Sequence, residues 1–149
     1  MTMAAELDHQ ALRPEDAGYV YELCQATMRE PVVALWGRWD EAEVKAEILR
    51  ELCAGRYRAL VAGDARVGVV SVAWSETCCE IVQLFIEPKH QRRGFGAMAV
   101  NTIVRQAQLA KKPVIARVLV TNPVLAFWEK AGLALVESSD DHHLLAHHD

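Results

Sequence analysis

The residues best suited to chemistry in this 149-residue chain are crowded into one stretch, Glu80 to Ala97. It reads Glu-Ile-Val-Gln-Leu-Phe-Ile-Glu-Pro-Lys-His-Gln-Arg-Arg-Gly-Phe-Gly-Ala. An apolar strand pattern runs into a basic turn, and the turn opens a helix. The first N–H groups of a helix have no partner within it and point outward. The helix dipole adds partial positive charge at that end. Phosphates bind such ends readily. Gly94 and Gly96 would let a diphosphate approach the main chain without a Cβ in the way. Lys89, Arg92 and Arg93 add positive charge to a chain whose formal net charge is −4. A Gly-x-Gly pair alone reads as readily as a solvated turn, but its place between strand and helix favours an anion cradle. The spacing is neither that of the nucleotide phosphate loop, Gly-x4-Gly-Lys-Ser/Thr, nor that of the dinucleotide turn, Gly-x-Gly-x-x-Gly. A nucleoside triphosphatase or a nicotinamide enzyme is therefore disfavoured.

The elements that must position this stretch follow from periodicity. A first helix is expected over Arg13–Met28, with Ala17, Val20, Cys24 and Thr27 on one face. A loop over Pro31–Trp39 leads to a second helix, Asp40–Cys53, in which Asp40 and Glu43 form a capping box. Val44, Ile48 and Leu52 make its buried stripe. Strands are expected over Tyr57–Ala62 and Val67–Trp74, joined by a turn at Gly63–Arg66, and over Glu80–Ile86, which Pro88 stops. A helix over Gly96–Lys111 places Val100, Ile103, Val104 and Ala107 on one face. A strand over Val114–Val120 follows. Asn122 caps a last helix with Pro123 at its first position and Gly132 just past its end. Leu133–Glu137 and His142–Ala146 read as weaker strands. Residues 1–10 and 147–149 read as flexible ends of a single domain spanning 1–149. This order predicts an α/β (α+β) layer fold, a mixed sheet with helices on its faces.

Composition narrows the classes of function. Hydrophobic residues make up 52% of the chain, enough for a core, and the acidic balance argues against a general nucleic-acid binder. No apolar run reaches the ~20 residues of a membrane span, and the first ten residues lack the pattern of a secretory signal. Cys24, Cys53, Cys78 and Cys79 show no CxxC spacing, so reduced thiols in a cytosol are expected rather than a disulfide scaffold or a zinc site.

Gln91-Arg92-Arg93-Gly94-Phe95-Gly96 resembles the Gln/Arg-x-x-Gly-x-Gly/Ala signature of the GNAT superfamily of N-acetyltransferases. Leu84-Phe85-Ile86-Glu87-Pro88 is similar to the end of that family's fourth strand. Asn122-Pro123, with Phe127-Trp128-Glu129-Lys130-Ala131-Gly132-Leu133, is similar to its last-helix motif. The order of elements agrees from about Leu12 to Leu145. The resemblance implies a mostly antiparallel central sheet of six to seven strands, helices on both faces, and a V-shaped cleft between strands four and five. It implies acetyl-CoA as co-substrate, with no metal. The diphosphate would lie on Gln91, Arg92, Arg93, Gly94, Phe95, Gly96 and Ala97. The pantetheine arm would run along the backbone of Leu84, Phe85 and Ile86 like an added strand. Asn122, Phe127, Trp128 and Lys130 would line the other side.

The acceptor amine must lose a proton before or during attack, since an alkylamine has a pKa of roughly 10. Glu80 is the candidate base, directly or through water. It lies fourteen residues before the first glycine of the signature, where some family members carry a catalytic glutamate. The competing reading is a strand-edge glutamate facing water. Glu87, nearer the turn, reads as solvent-facing. A backbone N–H near Ile86 would stabilise the acyl oxygen. Many family members protonate the leaving thiol with a last-helix tyrosine, but this chain has Trp128 there, and an indole N–H is no proton source at neutral pH. A thiol pKa near 8.5 lets a thiolate leave with little help, so Trp128 reads as packing or positioning. The substitution also leaves open an acyl-CoA-binding sensor with little or no catalysis.

Trp36 and Trp39 either line an acceptor pocket or serve as packing residues. Trp74 reads as core. His142, His143, His147 and His148 read as surface residues rather than metal ligands. Only one of the adjacent Cys78 and Cys79 can face a core. The acceptor is expected to be a small-molecule or peptide amine, with no nucleic acid and no membrane involved. A homodimer, in which the terminal strands take part, stays open.

Overall fold

The structure, a computed structural model, describes residues 7–147; residues 1–6 and 148–149, His148 among them, lie outside the described residues. In chain order the elements are β1 (Leu7–Ala11), α1 (Ala17–Trp36), α2 (Glu41–Cys53), β2 (Tyr57–Ala62), β3 (Ala65–Trp74), β4 (Cys79–Ile86), α3 (Phe95–Leu109), β5 (Val114–Leu119), α4 (Leu125–Lys130), β6 (Leu133–Ser138) and β7 (His142–His147). The strands form one seven-stranded sheet in the order β1-β2-β3-β4-β5-β7-β6. All neighbours are antiparallel except β4 and β5, which run parallel. A parallel neighbour cannot be reached through a tight turn, and α3 supplies the crossover. The mixed, mostly antiparallel sheet with helices on both faces is the expected fold.

Each face of the sheet has its own core. Val100, Ile103, Val104 and Ala107 of α3 bury against Ile81, Val114, Ala116, Val118 and Leu145 on one side. On the other, Val20, Leu23 and Cys24 of α1 and Ile48 and Leu52 of α2 bury against Tyr57, Ala59, Val69 and Phe85. The stripes read from the sequence for α2 and α3 are the stripes that pack. Asp40 caps α2 as expected, accepting a hydrogen bond from the Glu43 N–H at 3.1 Å. Gly132 follows α4 with φ of +102°, the left-handed residue its position predicts. Of the adjacent cysteines, Cys79 is buried and Cys78 half-buried.

Several boundaries differ from the expectation, each for a physical reason. The first helix does not end at Met28. It runs to Trp36, with Pro31 inside it, and absorbs most of the expected loop. Gly37, at φ +78°, ends it, donating its N–H to the Val33 carbonyl at 2.8 Å. Pro31 is buried, and its carbonyl accepts a 2.6 Å hydrogen bond from Thr121 Oγ1, so tertiary contact holds the interrupted helix together. Residues 7–10, expected to be loose, belong to β1. That strand has only Leu7 and Ala11 as apolar residues and is held by its backbone ladder to β2 and by Leu7 against the α3-side core. His147, also assigned to a loose end, closes β7. The turn before β3 is shorter than expected, since the strand starts at Ala65. Asn122 does not cap α4 and Pro123 is not its first residue. Val124 is the N-cap, and the Asn122 amide turns instead to the Met28 sulfur at 3.7 Å. Trp74 is 46% exposed rather than core, because it ends β3 at the rim, where Lys112 lies 5.9 Å above its ring.

Candidate active site

The side-chain alternation of β4 breaks partway along. Cys79 and Ile81 pack toward α3, so Glu80 faces the opposite side, that of α1 and α2. Strict alternation would send Phe85 to the α3 side as well. Phe85 instead buries among the α1 and α2 residues, while Leu84 and Ile86 pack toward α3. The switch is a register shift: Val72 pairs with Ile81 and Ser71 with Gln83, which makes Val82 the extra residue of a bulge. Gly68, opposite Ile86, is required here, because a Cβ would fall 2.2 Å from the Phe85 carbonyl oxygen.

The parallel ladder stops at the same place. β4 and β5 pair only at Cys79–Val114, Glu80–Ile115 and Ile81–Ala116. Beyond that point β5 stays paired with β7 as far as Leu119, whereas β4 runs on to Ile86. From Val82 to Ile86 the edge of β4 turned toward β5 has no strand partner among the described residues. The sheet thus opens into the expected V, its apex at Ile81–Ala116 beside the bulge. A free strand edge offers N–H and C=O groups to any extended ligand.

The basic turn sits at the open end of the V. The Gln91 side chain donates to the Ile86 carbonyl at 3.0 Å and pins the turn to the strand. Arg92 and Gly94 take left-handed conformations at φ of +65° and +84°. A Cβ on Gly94 would meet nothing within 4 Å, so glycine is needed there for its conformation. The Met98 N–H reaches the Gly94 carbonyl at 3.0 Å, which leaves the amides of Phe95, Gly96 and Ala97 ahead of the first helical bond. Lys89, Arg92 and Arg93 are exposed around them. Gly96 has a different reason from the one its spacing suggested. Its Cβ would lie 3.0 Å from the Phe127 ring, so it serves the packing of α3 on α4 rather than clearance for a phosphate.

Asn122 and Phe127 are half-buried and Lys130 is exposed, at and beyond the end of β5. Trp128 is 6% exposed within the α3-side core, with its ring edge-on to Phe127 at 5.2 Å. Glu87 does not face water freely: it accepts a 2.9 Å hydrogen bond from the Tyr19 hydroxyl. Burial and this acceptor raise the Tyr19 pKa above its ordinary value, so the phenol stays protonated as a donor. The contact ties the start of α1 to the end of β4, just ahead of the basic turn.

The α1 side of the apex is built from distant segments. Glu80 Oε1 accepts a 2.8 Å hydrogen bond from Arg117 Nη1, which joins β4 to β5 at the end of their paired stretch, Glu80 lying in the last pair but one and Arg117 one residue beyond the last. The far half of α1 is tied to the segment after β5 by Thr121 and Asn122. Trp36 ends that helix half-exposed, its ring 6.4 Å from the His142 ring at the start of β7. Trp39 is half-buried and donates its indole N–H to the Tyr21 hydroxyl at 2.9 Å, which makes it a strut between the helices. Arg117 and the bulge at Val82 were missed in the sequence. The only signal for Arg117 is a lone cation inside the apolar run Val114–Val120.

Surface cavities of about 300 and 340 Å³ lie elsewhere, one beside Lys111 and Lys112 and one beside Glu47 and Arg56. The V is a missing strand pairing rather than an enclosed hollow. Among the described residues no group of three or more His, Cys, Asp or Glu could hold a metal ion, and no helix is long and apolar enough to cross a membrane.

Comparison with solved structures finds this fold repeatedly. The chain is similar to the PaiA N-acetyltransferase of Thermoplasma acidophilum in complex with coenzyme A, at 14% identity and a TM-score of 0.75, covering 97% of this chain and 99% of that one. It is similar to an acetyltransferase of Thermus thermophilus, at 21% identity and a TM-score of 0.75, covering 97% and 98%. It is also similar to Arabidopsis thaliana Naa50 in complex with the bisubstrate analogue CoA-Ac-MVNAL, at 13% identity and a TM-score of 0.67, covering 97% and 99%. No curated protein sequence matches the chain. The family model for the GNAT acetyltransferases matches residues 18–133, from the start of α1 to the start of β6. The chain therefore belongs to the GNAT acetyltransferase family and is an acyltransferase.

Proposed function

We propose that the chain moves an acetyl group from acetyl-CoA to an amine by direct attack. The donor is taken from the α3 side of the V and the amine from the α1 side. The observation that carries this reading is the end of β4–β5 pairing at Ile81–Ala116, with the amides of Phe95, Gly96 and Ala97 at the open end. Those amides, with Gln91 fixing the turn and Arg92, Arg93 and Gly94 around it, suit a diphosphate. The free edge at Leu84 and Ile86, apart from the Ile86 carbonyl that Gln91 holds, suits the amide groups of a pantetheine arm. Phe85 anchors this edge from behind, since its ring is buried on the other face and its N–H and C=O face Val69 of β3, in step with the Glu87 N–H that donates to the Val67 carbonyl. Asn122, Phe127 and Lys130 flank the far wall, while Trp128 supports it from the core.

In the reaction the amine nitrogen bonds to the acyl carbon, the C–S bond breaks, and the nitrogen loses a proton. Glu80 is the proposed proton acceptor, directly or through water. Its Oε1 is taken by Arg117, which leaves Oε2 for this role. Unpaired amides between Val82 and Ile86 would stabilise the acyl oxygen. The thiol leaves as thiolate, since buried Trp128 cannot supply a proton. Trp36 is the proposed acceptor-side contact; Trp39 acts behind it through Tyr21.

A sensor that binds acyl-CoA without turnover is the second reading, and the absence of a last-helix tyrosine favours it. Thiol release from acetyl-CoA across a panel of amines, alongside calorimetry with CoA, separates the two. Turnover supports the enzyme; binding without turnover supports the sensor; no CoA binding removes both. We also propose a reducing, cytoplasmic setting, in keeping with four free cysteines among the described residues. A homodimer through the edge strand β6 is proposed as well, supported by the exposed Leu135 and Val136.

A further inference from the structure

We infer that the acceptor is an amine that carries a carboxylate close to its nitrogen, as an amino acid does, and that Arg117 reads that carboxylate. The inference rests on the acyl-transfer reading and names the substrate class of the same site.

The Glu80–Arg117 pair lies at the apex of the V, where an acyl group carried along β4 would end, and on the side opposite α3. Arg117 has apolar neighbours. Ile115 and Leu119, on the same side of β5, are apolar, and so is Leu144, its cross-strand partner on β7. Its side chain is 52% exposed and that of Glu80 is 24% exposed, so the pair faces an opening. An ion pair this exposed adds little to stability. The same face also carries His142 opposite Leu119 and Glu137 opposite Leu144, yet neither pairs with Arg117, whose exposure leaves it open to a second role.

Arg117 spends Nη1 on Glu80. A guanidinium has five N–H donors in a planar fork that matches a carboxylate. The fixed anion and cation, 2.8 Å apart, form a template for a ligand with the opposite order of charges. The ammonium of an amino acid would be drawn to Glu80, which is also the proposed proton acceptor, while its carboxylate met the remaining fork of Arg117. That pose aims the nitrogen at the apex. A plain alkylamine gains only the first contact, and an amide of the same skeleton cannot offer the second charge.

The test measures thiol release from acetyl-CoA with matched sets: the common amino acids, their carboxamides and the corresponding decarboxylated amines. A charge-assisted contact of this type predicts kcat/KM about tenfold to hundredfold higher for the free acid than for its amide. The readout is that ratio, which a role confined to clasping β4 to β5 would not move. Arg117→Gln should bring the ratio close to one. Arg117→Lys, which keeps the charge and loses the fork, should bring it partway down and serves if the first variant does not fold. Amides or plain amines used as well as the acids would overturn the inference and leave acyl transfer standing. So would an Arg117→Gln or Arg117→Lys enzyme that keeps the native ratio, or preference for an aminoalkyl phosphonate over the carboxylate. No turnover with any amine would overturn acyl transfer, and this inference with it.

Discussion

The two sides of the V are built in different ways. The proposed donor side, toward α3, is mostly local: the residues from Leu84 to Ala97 supply strand edge, turn and helix start in one run of chain, and only its far wall comes from beyond β5. The acceptor side, toward α1, is assembled from afar. Glu80 and Arg117 are 37 residues apart, and Thr121 meets Pro31 across 90. On the proposed reading a diphosphate and a pantetheine arm would be met by backbone groups, which any helix start and strand edge can offer. An acceptor is recognised through side chains, whose identities are free to vary. The difference teaches that the donor half states the family, and the acceptor half states what is particular to this chain.

That contrast can be broken most forcefully at Glu80. Glu80→Gln should lower kcat/KM by about 10²–10⁴-fold, the usual range for loss of a general base, while calorimetry finds CoA affinity unchanged. Weaker CoA binding in this variant would mean that the two sides are not separate. Trp128 is the next test. Trp128→Ala removes a buried ring and should cost about 3–5 kcal/mol in urea unfolding. Trp128→Tyr should give no new limb in the pH–rate profile, because the ring sits in the core; a new limb near the phenol pKa would make the position an acid after all. Arg92→Glu with Arg93→Glu should show the reverse of Glu80→Gln. CoA affinity should fall about tenfold or more, while kcat at saturating CoA holds. A change confined to kcat would move the cradle elsewhere.

The smallest effect is expected far from the V, at β1. Burial first, and the Arg58 guanidinium second, hold the His9 pKa below its ordinary value of 6.5. The folded state therefore prefers neutral His9. Its contribution is complete above the unfolded pKa and is lost as pH falls from about 6.5 through the lower folded value. The urea midpoint should slip as pH drops from 7 to 5, and His9→Phe should flatten that slope. CoA affinity should not follow it.

The turn and helix start at Gln91–Ala97 were legible because their signals are local. Gly94, Gln91 and the arginines act within a few residues of one another, and the strand before them is strongly apolar. The stripes of α2 and α3 were legible for the same reason. The end of α1 was not, since Pro31 argues for a break and only Thr121, far along the chain, offsets it. β1 was not legible either. Its ladder to β2 uses backbone groups that every sequence has, and of its five residues only Leu7 and Ala11 are apolar. Gly96 was found for a reason the structure replaces, because a glycine's neighbour in space, here Phe127, has no mark in the local pattern.

By itself the sequence determined the family, the order of most elements and the residues of the turn, all matters of short-range pattern and helix-start chemistry. Tertiary structure alone decided where β4 and β5 part, that Val82 bulges and turns Phe85 away from the gap, and that Arg117 reaches Glu80. These depend on strand register, and register is settled by how whole strands share a ladder and a core rather than by any residue's own preference.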